Sequence, residues 1–509
     1  MSIPLSELPT SSKRSTPSPP TQIVLDEHTS RSATAYAWSN KRKWTLLTVV
    51  AFCQVSMNFN AAVYSNAVDG INSTFGISNA RLGMMAFLIA YAIGCELWAP
   101  WSEEVGRFPI MQISLGLTNI SILVCALATN FSGILGGRIM GGLSSAGGSV
   151  TLGIVADMFV PDNQQHAVAF ASLFSCLGAV IGGIAGGPIQ QYLPSWRWNP
   201  WIQLIFGCFT QILHLVVAKE TRATILLGRE AKKQRLQGRL NVYGPNEIKT
   251  WWERIHPREI AATMWRPYQM LIFEPVVLFL SLLSGFADAL IFSFFESYGY
   301  VFAQWHFTPT HISLVLIPLA VSYIIGYLSF FPIIARHNAR RAKGETLRSE
   351  ARLKALLYHT VLLPAGLLIC AFVATGPPLH WAGVVFASVL IGIANFAIYF
   401  ATVDYLVAAY GGYAASATGG NGFMRDFLAG MCALYTGPLY KKLGIRNSYL
   451  VLFGLASLFC IPVYIFYFKG AAIRARSKFA SKLAEEREKQ EEKMRKASVG
   501  VEQEEVVVV

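Results

Sequence analysis

The chain is poor in charged residues and carries none of the short motifs that mark soluble enzymes. Charged residues make up 14% of its 509 residues and hydrophobic residues 53%, whereas soluble domains carry roughly 25% charged residues. The sequence holds no GxSxG, HExxH or Walker pattern, and no dinucleotide-binding fingerprint in a strand context. We therefore expect no enzymatic activity, no cofactor and no ATP-driven pumping.

Cysteine pairing and compact basic regions are also missing. The eight cysteines lie inside apolar blocks without CxxC or Cys/His spacing, which disfavours a disulfide framework and a zinc or other metal site. The net charge of +13 comes from Lys and Arg between and after the apolar blocks, where they meet anionic lipid headgroups. Without a compact basic domain, a nucleic-acid partner is not expected.

Long hydrophobic runs dominate the rest of the sequence. Most are about 18 to 25 residues long, which matches a hydrocarbon layer of about 30 Å. We therefore predict an all-α polytopic membrane protein with twelve transmembrane helices in two halves of six. The runs are 44–64, 82–101, 109–129, 135–159, 167–192, 201–218, 275–302, 312–334, 356–374, 381–405, 423–440 and 449–468.

The runs divide the chain into five regions. We predict a disordered N-terminal tail, a first six-helix half, a central loop, a second half and a charged C-terminal tail, at 1–43, 44–218, 219–270, 271–468 and 469–509. Basic residues collect in the central loop and after the eighth run, which predicts that these loops and both termini are cytosolic. The sequon at Asn72 then faces outside and is a candidate glycosylation site.

A few polar residues interrupt the apolar runs. A charged residue at the middle of a membrane costs about 2.5 to 3.5 kcal/mol, so it marks function by default. Their positions predict a polar cavity on the bundle axis that holds solute and protons. The candidates are Gln54, Asn58, Asn60, Glu96, Arg138, Asp288, Asn395 and Arg425.

The two central acids have structural alternatives. Asp288 suits a coupling or substrate role, because a low-dielectric cavity favours a neutral carboxyl group whose protonation can respond to either face of the membrane. A structural ion pair explains Asp288 equally well, and Glu96 also suits a packing or gating pair. Glu296 and Asp404 are expected to be solvated helix ends.

Arginine and glycine supply the remaining candidates. Arg138 keeps its charge, so we expect it to hold a carboxylate or an anionic substrate, although the glycines that follow it equally suit helix packing. The glycine-rich stretch from Gly178 to Pro188 in the fifth run predicts a bendable and closely packed helix of the kind that alternating access needs.

These features resemble the major facilitator superfamily, and the local motifs resemble its fungal twelve-span drug:proton antiporter branch. The stretch from Ala99 to Pro109 is similar to that branch's APLSExxGRRP signature, and Arg138 to Gly142 is similar to RxxxG. Ala156 to Phe159 matches ADMF, the fifth run resembles the antiporter motif, and Trp196 to Trp198 matches WRW.

The resemblance implies a gating motif at Glu103, Gly106, Arg107 and Asp157, and an antiporter motif at Gly178, Gly182 and Gly183. Two positions depart from the branch. Phe108 stands where a second arginine is usual, and Ala179 replaces the antiporter proline.

The resemblance also implies a function. It predicts a plasma-membrane secondary transporter, coupled to protons, that exports a small organic solute. The segments Gly94 to Trp98 and Ser284 to Phe292 look most like the subgroup that includes citrate exporters, so an organic acid such as citrate is the leading expectation. A multidrug or secondary-metabolite efflux pump, a non-transporting nutrient sensor and an uptake permease are alternatives. A monomer is compatible with the sequence, which sets no oligomeric state.

Overall fold

A computed structural model describes residues 23–27, 30–145, 147–160, 163–247, 257–345, 347–476 and 479. The first half is a succession of long apolar helices joined by short turns. The fourth run is divided into two helices near Ser145, whose backbone is extended. The helices are α1 (Asn40–Val63), α2 (Val68–Phe75), α3 (Leu82–Glu104), α4 (Arg107–Leu127), α5 (Phe131–Ser144), α6 (Gly147–Met158), α7 (Gln165–Tyr192) and α8 (Trp198–Val217).

Two helices, α9 (Ala223–Leu236) and α10 (Pro257–Phe273), lie largely in the central loop, and the second half then repeats the plan of the first. The helices of the second half are α11 (Pro275–Phe302), α12 (Pro309–Leu314), α13 (Ile317–Ser329), α14 (Phe331–Ala342), α15 (Lys354–His359), α16 (Leu362–Val373), α17 (Ala382–Tyr410) and α18 (Ala414–Arg474).

Ten helical stretches of the described chain are long and apolar enough to cross a membrane. The last of them, Ala382–Arg474, has 93 residues. At 1.5 Å per residue it would be about 140 Å long, several times the thickness of a bilayer. Its backbone breaks at Gly411 (φ 46°) and Gly444 (φ 74°), and division there reproduces the last three predicted spans. The break pattern thus supports twelve crossings.

The outer surface of α8 shows what surrounds the bundle. Ile205, Phe209, Ile212 and Val216 are all more than half exposed. Their spacing of three and four residues places them on one face of the helix. An apolar face of this kind is stable against lipid and unfavourable against water.

The halves meet along two seams. α3 packs lengthwise on α18, and α7 packs on α1 on one side and on α12 and α13 on the other. Within the second half, α11 packs along α18. The seams bring the polar residues of α1, α3, α11 and α18 towards a common axis.

Part of the predicted disordered tail, 1–43, has defined structure. The strand β1 (Ile23–Val24) pairs in parallel with β2 (Val242–Tyr243) of the central loop. Further on, the Tyr36 hydroxyl donates to the Ala156 carbonyl at 2.9 Å. Both partners are more than a hundred residues away, so the composition of the tail does not predict them. Residues 1–22, 28–29 and most of the predicted C-terminal tail lie outside the described residues.

Candidate functional site

A charged cluster centred on Arg425 lies buried where α11, α17 and α18 meet. The Nε of Arg425 is 3.9 Å from Oδ2 of Asp288, and its Nη2 is 3.3 Å from Oδ1 of Asp426. The ring centroid of Tyr399 lies 4.4 Å from the same guanidinium. Because an unpaired buried charge is costly, these contacts stabilise Arg425 and balance it with two carboxylates.

A cavity of about 310 Å³ opens beside this cluster. Asn58 and Ser175 line it from the first half, and Asp288, Tyr323 and Tyr399 line it from the second. The structure thus brings Asn58, Asp288 and Arg425 of the predicted set together between the halves. Aromatic rings and neutral polar groups make up much of the remaining wall.

A larger cavity, of about 1410 Å³, extends from Arg425 towards the end of the bundle at which α1 begins and α18 ends, hereafter the termini end. Glu96 lines it, is 5% exposed, and forms no ion pair with any described residue. Across from Glu96, α18 carries Gly419, where an added Cβ atom would lie 2.5 and 2.8 Å from the two carboxylate oxygens. The glycine leaves room for the carboxyl group to face the cavity.

The predicted gating residues meet at the same end. Arg107 Nε lies 3.0 Å from Asp157 Oδ2, and both side chains are more than nine-tenths buried. Arg222 reaches the same aspartate at 3.9 Å and Glu103 at 3.8 Å. The network joins the end of α3, the start of α4, the end of α6 and the segment before α9.

Glu220 completes this network through the backbone. Its carboxylate accepts the N–H of Arg107 at 3.0 Å and that of Phe108 at 3.2 Å. A carboxylate at a helix N-terminus satisfies free N–H groups and complements the helix dipole. The turn depends on Gly106, whose φ of 115° favours glycine. The atypical Phe108 stacks on the buried His214, with ring centroids 5.4 Å apart.

The antiporter-motif glycines set how closely α7 packs. A Cβ at Gly178 would lie 2.8 Å from the Val55 carbonyl oxygen, and one at Gly182 would lie 2.7 Å from that of Phe59. Gly183 instead faces the second half, at Phe295. α7 continues through Pro188, so close contact with both halves is its clearest feature, and its predicted role as a hinge stays a prediction.

Two acids expected to be solvated helix ends are paired. Glu296 of α11 accepts from Arg81 Nη1 at 3.1 Å, at the end of the bundle opposite the termini, hereafter the far end. Asp404 is 3% exposed, forms an ion pair with Arg352, and accepts from Gln165 Nε2 at 2.6 Å. The expectation of a solvated end is wrong for Asp404, which is buried, whereas Glu296 is partly exposed and paired as well.

Arg138 is not paired with the carboxylate that was expected as one of its two possible partners. It is 4% exposed, and its Nε donates to the Gly83 carbonyl at 3.1 Å, while Nη1 donates to the backbone and side-chain oxygens of Asn60 at 2.9 Å. No carboxylate of the described residues lies within ion-pair distance of it. Carbonyl oxygens take the place of the expected carboxylate, and they leave no signature in a sequence.

The other neutral candidates lie outside the two cavities. Gln54 and Asn395 are buried at 3% and 2% exposure, and each has a side-chain oxygen without a hydrogen-bond partner.

Asn72 lies in α2, where its Oδ1 accepts the N–H of Ala80 at 3.0 Å. Its side chain has a structural role, and its glycosylation stays a prediction.

Sequence reasoning missed Asp426 and Tyr399 as members of the Arg425 cluster. Asp426 follows Arg425 directly, but neighbouring helical residues point about 100° apart, so adjacency does not predict contact. Tyr399 lies in an aromatic-rich run in which no ring stands out. The feature of the sequence that could have indicated the cluster is an acidic residue next to an arginine within an apolar run.

The family model of the Major Facilitator Superfamily matches residues 50–433. The chain is 31% identical over 452 residues to the MFS-type transporter paaT of Penicillium rubens, covering 87% of this chain and 81% of the relative. It is 29% identical to an ascochitine biosynthesis cluster MFS transporter of Didymella fabae, covering 87% and 86%. It is 26% identical to a cycloheximide resistance protein of Candida maltosa, covering 87% and 83%.

A solved structure shares the fold. The human organic anion transporter MFSD10 (TETRAN) aligns with a TM-score of 0.53 at 16% sequence identity, covering 83% of this chain and 99% of the human chain. At this identity the likeness concerns the fold alone.

Proposed function

The chain belongs to the major facilitator superfamily, and from this premise we propose that it is a proton-coupled exporter of small, uncharged or weakly charged organic solutes. That it is a multi-pass membrane transporter and not an enzyme follows from the family itself. Coupling, direction and solute class are the proposal. The relatives are named as transporters and a resistance protein, which favours transport over nutrient sensing.

The observation that supports proton coupling is the arrangement of charged residues in the cavities. Glu96, Asp288 and Asp426 line them with Arg425, and the surrounding helices bury Glu96, Asp426 and Arg425 and leave Asp288 partly exposed. Carboxyl groups in such a setting can take up and release protons as their access changes between the two sides. A proton taken up from outside would weaken the pairing of Asp288 with Arg425 and so alter the solute site.

The same charges also affect which class of solute can bind. With Glu96, Asp288 and Asp426 ionised and Arg425 positive, these four groups carry a net charge of −2, which disfavours a multivalent anion such as citrate. Tyr323 and Tyr399 offer aromatic surface instead, and Asn58 offers neutral hydrogen bonds. These features support the secondary-metabolite and drug efflux alternative over organic-acid export.

Transport into inside-out vesicles tests this choice. Vesicles from cells that express the chain, with an acidic lumen, would be given labelled cycloheximide or labelled citrate. We expect the neutral solute to accumulate, and a protonophore to abolish accumulation. Citrate accumulation without cycloheximide accumulation would favour the organic-acid exporter. Vesicles from cells that do not express the chain provide the control for background uptake.

We further infer that the termini end faces the cytosol and that the plasma membrane is the site of action. Basic residues of the central loop support the orientation, because Lys and Arg are retained on the cytosolic side. Surface labelling of an epitope placed in the loop before α3 would test both points. Labelling of intact cells supports them, and labelling only after permeabilisation contradicts them.

A further inference from the structure

We propose that Arg138 binds a small monovalent anion, such as chloride, in a cavity inside the first half of the bundle. This cavity has an empty volume of about 430 Å³ and is lined by residues of α1, α2, α3, α4, α5 and α8. It shares no lining residue with the cavities around Arg425. The site is therefore separate from the proposed solute pathway.

The first observation is a buried cation whose hydrogen bonding is incomplete. Nη2 of Arg138 is buried and has no hydrogen-bond partner. The rings of Tyr64 and Phe87 lie 4.5 and 4.2 Å from the guanidinium. Ring faces and carbonyl oxygens lower the cost of this charge, but a buried charge is most stable when it is paired with a counter-ion.

A second unpartnered group lines the same cavity. Asn199 is 1% exposed, and its Nδ2 donates to the Trp196 carbonyl at 3.2 Å. This bond directs Oδ1 away as an acceptor, and Oδ1 has no partner. An anion that accepts from Arg138 Nη2 would satisfy this donor. One water between the anion and Asn199 would donate one hydrogen to the anion and the other to Asn199 Oδ1, which would satisfy the amide oxygen.

The rest of the wall limits what can bind. Val63, Ile71 and Ile122 contribute apolar surface, and the hydroxyl groups of Tyr64 and Ser121 already donate to carbonyl oxygens. A bulky or strongly hydrated anion would lose its water here without compensation. A halide or nitrate ion meets one strong donor and needs few others.

Thermal unfolding of the purified full chain in different salts tests the proposal. At constant ionic strength, replacement of gluconate by chloride, bromide or nitrate is expected to raise the melting temperature saturably, by about 2 °C. Arg138→Gln is expected to lose this shift. Arg197→Gln is the matched control, because Arg197 also donates to carbonyl oxygens, those of Ala126 and Ala128, outside this cavity. It is expected to keep the shift.

Asn199→Asp provides a second test in case Arg138→Gln fails to fold. Its carboxylate would place a tethered counter-ion in the cavity, so we expect halide dependence to disappear while the melting temperature in gluconate stays at or above that of the wild type. A wild-type melting temperature that is equal in all salts overturns the proposal and indicates a cavity filled with water. A halide shift that persists in either Arg138→Gln or Asn199→Asp overturns it as well.

Discussion

Arg81, in the turn before α3, donates to Glu296 of α11 at 3.1 Å and thereby joins the two halves of the bundle at the far end. On the same side, Gly187 of α7 faces Ser313 of the second half. The large cavity beside Glu96 extends instead towards the termini end. These contacts describe a transporter that is closed at the far end.

Loss of the Arg81–Glu296 pair should let the far end open more often. The pair is partly exposed, so its contribution is roughly 0.5–1 kcal/mol. With Glu296→Gln, we expect a membrane-impermeant thiol reagent to label Cys176 about two- to fivefold faster in intact cells, because Cys176 lines the central cavity. Cys176→Ser establishes the labelled site. Equal labelling rates in Glu296→Gln and wild type would contradict a latch at this position.

The turn at Gly106 should tolerate no side chain. A Cβ there would contact the Glu220 carboxylate, and the φ of 115° disfavours any other residue. Gly106→Ala should therefore destabilise the chain by about 1–3 kcal/mol and lower transport. Gly136→Ala is the control, since an added Cβ at Gly136 meets nothing within 4 Å. Thermal unfolding of both variants checks this, and equal stabilities would count against the Glu220 cap.

Close packing of α7 on α1 should be sensitive to a single methyl group. Gly182→Ala would place a Cβ 2.7 Å from the Phe59 carbonyl oxygen, so the two helices must separate. We expect a loss of about 1–3 kcal/mol in stability and slower transport. Gly454→Ala adds the same methyl group in open space and should be neutral or slightly stabilising. If both alanines behave alike in transport and melting assays, close approach of α7 is not required.

The ion pair between Asp404 and Arg352 should contribute to stability because both side chains are buried. Their side chains are 4% and 9% exposed, and removal of one partner from a buried pair costs about 3–5 kcal/mol. Asp404→Ala should destabilise the chain by that order, and Arg352→Met combined with it should restore part of the loss. Thermal unfolding of the single and double variants measures this coupling. Additive effects would show that the pair is not coupled.

Composition predicted the helical fold well, because a bilayer requires long apolar helices and the sequence displays them directly. The placement of Asp288 and Arg425 in one cavity followed from their positions in separate apolar runs. The partners of the buried charged residues were harder to predict from the sequence. Asp404 meets Arg352 from 52 residues away, and Arg138 meets backbone carbonyls, so only the three-dimensional structure shows which residues meet.

Solute release as a function of external pH tests the central claim, that the cavity carboxyl groups couple proton entry to export. The comparison uses wild type, Asp288→Asn, Glu96→Gln and Glu345→Gln, a control whose carboxylate forms an exposed ion pair with Arg340. We predict that release by wild type and Glu345→Gln rises as external pH falls, and that at least one cavity variant loses this dependence. Unchanged pH profiles in both Asp288→Asn and Glu96→Gln would contradict the account.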